Sequence, residues 1–153
     1  MLQRKQTLWM LLALICEALT FKFAFYFGNM KVGLNGIAPL EVKAVPTLGA
    51  GSVSASAGSV LILIVTVIII AGILVNIFNF KSRGKQLLIT IGLLVLSLLN
   101  IFLYWWKSGV PPFESGSYSV GMLFSLAIPV LLVMAAPGIR RDQRLVKSAD
   151  RLR

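Results

Sequence analysis

Val60 to Phe80 reads VLILIVTVIIIAGILVNIFNF and carries no charged residue. Its β-branched centre, LILIVTVIII, would suit a buried strand in a water-soluble protein. Length decides otherwise. About twenty uncharged apolar residues, rising ~1.5 Å each as a helix, match the ~30 Å hydrocarbon core of a bilayer, whereas buried strands stop at roughly eight residues. The stretch predicts a transmembrane helix, and the rest of the chain is read outward from it.

Composition agrees with that reading. Of 153 residues, 58% are apolar and 13% charged, and the mean hydropathy is +0.88. A soluble domain carries about 25% charged residues, so this chain has too little polar surface to cover a globule of its size. Three further spans follow. Thr7 to about Phe27 comes after a basic start, Gln3-Arg4-Lys5-Gln6, but is too long for a signal peptide. It also contains Glu17 and Lys22 and has no small-residue cleavage site after it, so it is expected to be retained as a helix. Gln86 to Trp106 ends in Tyr104-Trp105-Trp106, the aromatic signature of a membrane–water interface. Tyr118 to Ala136 is shorter, with Gly121 and Pro129 inside it. Between the first two spans, residues 28–59 are polar and rich in glycine and serine. Asn35-Gly36 is a hairpin-type turn signal there, with Lys31 to Leu34 and Ile37 to Val42 as its arms.

The fold class expected is therefore all-α: a polytopic four-transmembrane-helix bundle, with a small extracytoplasmic β-hairpin or flexible loop at 28–59. Residues 1–139 form the membrane domain and 140–153 a basic tail beyond Pro137-Gly138. Four spans put both termini on one side. Arg4, Lys5, Lys81, Arg83, Lys85, Arg140, Arg141, Arg144, Lys147, Arg151 and Arg153 lie on that side, against Lys31, Lys43 and Lys107 on the other. The positive-inside bias places both termini in the cytoplasm.

Several kinds of chemistry fall away. There is no histidine, and Cys16 is the single cysteine, which removes intramolecular disulfides and most transition-metal and imidazole acid–base chemistry. No nucleophile–base pair, paired carboxylates or phosphate-binding glycine loop is present, so no enzyme, metal or cofactor is expected. The net charge of +10 reads as topology and contact with anionic lipid rather than nucleic-acid binding, because no aromatics interleave with the basic residues.

Glu17 is the most unusual residue. It lies near mid-membrane, where an ionisable group costs about 2.5–3.5 kcal/mol and so faces protein or water. At matched heights, Ser97, Asn100 and Ser125 are candidate partners. Lys22 lies five residues further out, about 140° round the helix from Glu17, and can snorkel to the headgroups. These residues read either as a proton or ion site or as a polar clamp between helices. Pro129 frees the Ser125 carbonyl, a feature that can line a site but is routine in membrane helices. Asn76 and Asn79, at the inner end of the second span, either bond across helices or face the interface. In the tail, Leu145, Val146, Ala149 and Leu152 form one apolar stripe at helical spacing. Arg140, Arg141, Arg144, Lys147 and Arg151 surround it, as on a helix that lies on anionic lipid or docks into a partner.

The two ends of the chain, MLQRKQTL at Met1 to Leu8 and IRRDQRLVKSADRLR at Ile139 to Arg153, resemble those of the family catalogued as domain of unknown function 4293. The resemblance implies a small four-span protein of the bacterial inner membrane, of the kind found in Bacteroidota, and carries no catalytic residues. The expectation is a non-enzymatic accessory or scaffold protein. Its basic cytoplasmic face would meet the lipid bilayer and a membrane or cytosolic partner, or a second copy. The alternative is a small transporter or proton-coupled component that uses Glu17.

Overall fold

The computed structural model describes residues 5–32, 36–44, 57–79, 83–109 and 113–150. In chain order they form α1 (Lys5–Leu19), β1 (Tyr26–Val32), β2 (Gly36–Val42), α2 (Ala57–Phe78), α3 (Arg83–Gly109), β3 (Phe113–Tyr118) and α4 (Val120–Asp150). The helices pack as a ring, with α1 against α2 and α4 and α3 against α2 and α4. Successive helices run antiparallel: Met10, Asn76 and Thr90 meet toward one end, and Glu17, Thr66 and Asn100 toward the other.

Among the described residues, three stretches are long and apolar enough to cross a membrane: Val60–Phe78, Gly84–Gly109 and Val120–Gln143. The apolar part of α1, Gln6–Leu19, is shorter. The sequence extends the first span to about Phe27, but the helix stops at Leu19. The Thr20 hydroxyl donates to the Glu17 carbonyl at 2.7 Å. The amides of Thr20, Phe21 and Lys22 bond three residues back, which tightens the last turn. Residues 20–27, TFKFAFYF, are apolar enough to prolong a hydropathy run, yet Phe25 onward is drawn into a sheet. The Phe25 amide donates to the Val42 carbonyl at 2.8 Å, and the Ser119 amide to the Phe25 carbonyl at 3.0 Å.

That sheet has the order β2-β1-β3 and is antiparallel. The hairpin around Asn35-Gly36 forms, with Val32 opposite Gly36 and Tyr26 opposite Val42; its tip, 33–35, lies outside the described residues. Pro39 sits on β2, an edge strand, the place in a sheet where proline is tolerated. The third strand is an addition to the expected hairpin. β3 comes from the end of the segment that joins the third and fourth expected spans, and it pairs with Tyr26 to Met30, with a register shift between Asn29 and Met30. Gly116 is needed here, because a Cβ would strike the Phe27 carbonyl and come within 2.5 Å of the Tyr26 ring.

The sheet caps one end of the bundle. Phe25, Val42, Ala44, Ile62 and Tyr104 form a buried cluster at the junction. Phe25 stacks on Tyr104 with ring centroids 4.8 Å apart and planes 12° off parallel, and meets Tyr118 edge-on at 5.9 Å. Gly121 closes the seam, since its amide donates to the Ala24 carbonyl at 3.1 Å. A Cβ there would lie 2.6 Å from the Ala24 carbonyl carbon.

The fourth helix differs most from expectation. Pro137-Gly138 does not end it. α4 runs on through both prolines to Asp150, so the first part of the tail continues the last helix. Proline removes one amide bond but need not break a membrane helix whose neighbours support it. Gly138 lets α1 approach, its Cβ position being 3.1 Å from Gln6 Cβ. Arg140 and Arg141 are exposed.

Most of the bundle core is apolar, built from residues such as Met10, Ile69, Ile73, Leu132 and Ile139, but α3 turns a polar face inward. Along α3 the buried positions are Gln86, Thr90, Leu93, Ser97, Asn100, Tyr104 and Ser108, three or four residues apart and mostly polar. Its outer face shows Leu88 (74% exposed), Val95 (61%) and Leu99 (46%). The other long helices likewise leave Ile64, Val67, Leu123 and Val130 exposed. An apolar wall around polar seams makes sense in lipid. There the exterior gains nothing from being polar, and buried hydroxyls and amides hold helices together.

Candidate functional site

Polar side chains inside the bundle fall into three layers. At the end away from the sheet, Gln6 Nε2 on α1 donates to Asp142 Oδ2 on α4 at 3.2 Å. One level in, Asn76 Nδ2 on α2 donates to Thr90 Oγ1 on α3 at 2.8 Å and approaches Met10 Sδ on α1 at 3.6 Å. Thr90 in turn donates to the Gln86 carbonyl at 2.8 Å, and Gln86 Nε2 donates to the Asn76 carbonyl at 3.2 Å. This layer knits three helices where α2 ends and α3 begins. Of the two roles open to Asn76, it takes the cross-helix one.

The third layer holds Glu17 and lies below the sheet. Glu17 is fully buried. Asn100 Nδ2 on α3 donates both to Glu17 Oε1 and to Thr66 Oγ1 on α2, each at 3.2 Å. One amide thus ties α1, α2 and α3 together. Tyr104 follows one turn along α3, and its hydroxyl faces those of Thr20 and Thr66 without closing a bond of good geometry. Glu17 Oε2, Asn100 Oδ1 and the Tyr104 hydroxyl meet no hydrogen-bond partner among the described residues. Unpaired buried polar atoms are rare in native proteins, and three within one layer mark this as the candidate site.

Of the residues singled out from sequence, Glu17 and Asn100 come together. Ser97 and Ser125 match Glu17 in height but turn their hydroxyls to their own helices. Ser97 donates to the Leu94 carbonyl at 2.8 Å and Ser125 to the Gly121 carbonyl at 3.0 Å. This is the usual way a serine satisfies itself inside a helix. Lys22 is exposed beyond the end of α1, away from the layer. In the tail, Arg140 and Arg141 lie on the exposed surface of α4. The backbone at Arg144 and Lys147 is helical, their side chains lie outside the description, and Arg151 lies outside the described residues altogether. Cys16, beside Glu17, is a free thiol. Among the described residues no group of three His, Cys, Asp or Glu side chains is placed to hold a metal.

Sequence reasoning missed Thr20, Thr66 and Tyr104. Thr66 is hidden in a β-branched run, and Tyr104 was absorbed into the aromatic belt with Trp105-Trp106. The signal was nevertheless present. Polar residues in and just after the third span, at 86, 90, 97, 100, 104 and 108, keep the spacing of one helix face.

The resemblance carried by the two termini extends across the chain. A family model described as "Domain of unknown function (DUF4293)" matches residues 2–152. No curated protein and no solved structure matches the chain.

Proposed function

The chain belongs to the DUF4293 family, and on that footing we propose that it is a four-span protein of the bacterial inner membrane with both termini in the cytoplasm. It acts without chemistry of its own, as an accessory or scaffold subunit whose basic end meets anionic lipid or a protein partner. One observation carries this reading. α4 is 31 residues long, about 46 Å at 1.5 Å per residue, against ~30 Å of hydrocarbon. Its excess length bears Arg140, Arg141, Arg144 and Lys147 and stands at the same end as the starts of α1 and α3. A basic helix projecting from a membrane bundle is a natural docking element.

The fourth crossing is supported by the path of the first segment. From Gln6, beside Gly138 and Asp142, to Ala24, beside Gly121, it runs the length of the apolar part of α4. The test is purification in mild detergent. A stoichiometric partner that is lost on deletion of residues 140–153 supports the reading, and a monomer that crosslinks to nothing sinks it.

The unpartnered oxygens beside Glu17 favour a second reading, a small transporter or proton-coupled component that uses Glu17. Liposome flux that is unchanged by Glu17→Gln removes it.

A further inference from the structure

The layer around Glu17 holds more acceptor oxygens than donors. Its one amide donor, Asn100 Nδ2, is shared between Glu17 Oε1 and Thr66 Oγ1. Glu17 Oε2, Asn100 Oδ1 and the Tyr104 hydroxyl keep free lone pairs, on side chains only 0%, 4% and 1% exposed. The buried hydroxyls of Thr66 and Thr20 border them. All of these atoms are hard oxygens, the ligand type that alkali and alkaline-earth cations take. A carboxylate sealed in the bundle also needs a positive partner, or a proton, to offset its desolvation. Lys22, the basic residue nearest to it in sequence, is exposed beyond the helix end.

We propose that Glu17, Thr66, Asn100 and Tyr104 form a buried binding site for a sodium-sized monovalent cation. Charge selects the valence. One carboxylate neutralises one positive charge, whereas a divalent ion would leave net charge in a low-dielectric interior. The concentrated charge of the carboxylate ligand favours the smaller sodium ion over potassium. Asn100 acts as the exchangeable partner. Its amide nitrogen bridges Glu17 and Thr66, and a half-turn of the amide would present Oδ1 to the ion instead. Binding holds whether or not the ion crosses the membrane, so the inference stands apart from both functional readings above.

The experiment uses the full chain in mild detergent, with sodium, potassium or choline chloride at equal ionic strength. It reads radioactive-sodium binding and the thermal unfolding midpoint. The expected result is saturable one-site sodium binding and a midpoint higher in sodium than in choline or potassium. Glu17→Gln, a neutral isostere, abolishes both effects. Tyr104→Phe, which keeps the ring stacked on Phe25, and Thr66→Val, which keeps the volume, each weaken sodium affinity roughly tenfold to a hundredfold. Folded wild-type protein that binds no sodium overturns the proposal. So does binding retained in Glu17→Gln, an equal response to potassium, or a midpoint that follows pH alone and marks a site filled by a proton only. If Glu17→Gln fails to fold, unchanged sodium affinity in both Tyr104→Phe and Thr66→Val overturns it equally.

Discussion

Replacing Asn100 with leucine tests how far the Glu17 layer holds the bundle together. Leucine keeps the heavy-atom count and branching of asparagine and removes both donated bonds, to Glu17 Oε1 and to Thr66 Oγ1. Inter-helix hydrogen bonds within membranes contribute about 0.6 kcal/mol on average and up to ~1.7. The Thr66 hydroxyl recovers part of its loss by turning to its own helix backbone. Glu17 has no such recourse. Its Oε2 is already unpaired, so losing the Oε1 bond strands the whole carboxyl, at a cost of about 1–3 kcal/mol. The expected destabilisation is about 2–4 kcal/mol.

Removing the carboxyl as well, in Glu17→Met with Asn100→Leu, leaves an apolar layer with nothing to satisfy. That double variant should return to within about 1 kcal/mol of wild type, because replacing both partners of a buried polar pair is often neutral. The assay is equilibrium unfolding in mixed micelles of mild detergent and dodecyl sulfate, followed by helical circular dichroism in sodium-free buffer. Additive losses in the double variant, or an Asn100→Leu loss under about 0.5 kcal/mol, would refute the reasoning.

Two further outcomes follow from the packing. Gly121→Ala should cost about 1–3 kcal/mol in the same unfolding assay, because its Cβ meets the Ala24 backbone, which cannot swing aside. Gly92→Ala, with nothing within 4 Å, should be neutral or gain up to about 1 kcal/mol from helix propensity; equal effects at the two sites would show that the α4–Ala24 contact is not close. Asn76→Leu should cost about 1 kcal/mol or less, clearly below Asn100→Leu. Thr90 keeps its bond to the Gln86 carbonyl, and the unpaired Asn76 Oδ1 disappears with the amide. A loss equal to that of Asn100→Leu would contradict this ranking of the layers.

The three long helices were legible because an apolar run of about twenty residues has one stable solution in lipid. The hairpin was legible at Asn35-Gly36, where the turn imposes its own chemistry. The end of α1 was not, since hydropathy alone does not distinguish TFKFAFYF as helix from TFKFAFYF as the approach to a strand. Nor was β3, whose residues FESGSY have little strand character and become a strand by pairing with β1. Glu17 was conspicuous by its charge and Asn100 by its height. Which helix faces meet was invisible, so Ser97 and Ser125 were as plausible as partners, and Thr66 and Tyr104 were overlooked.

What the sequence determined by itself is the solvent and the ends. Hydrophobic length sets the spans, and the distribution of lysine and arginine sets the basic end, since both are sums over residues that need no knowledge of neighbours. Tertiary structure alone decided the rotation of each helix about its axis. A turn of about 100° per residue separates Asn100, aimed at Glu17, from Leu99, aimed at lipid. Only packing against α1, α2 and α4 fixes which of the two faces inward, and so assembles four ordinary side chains into one buried layer.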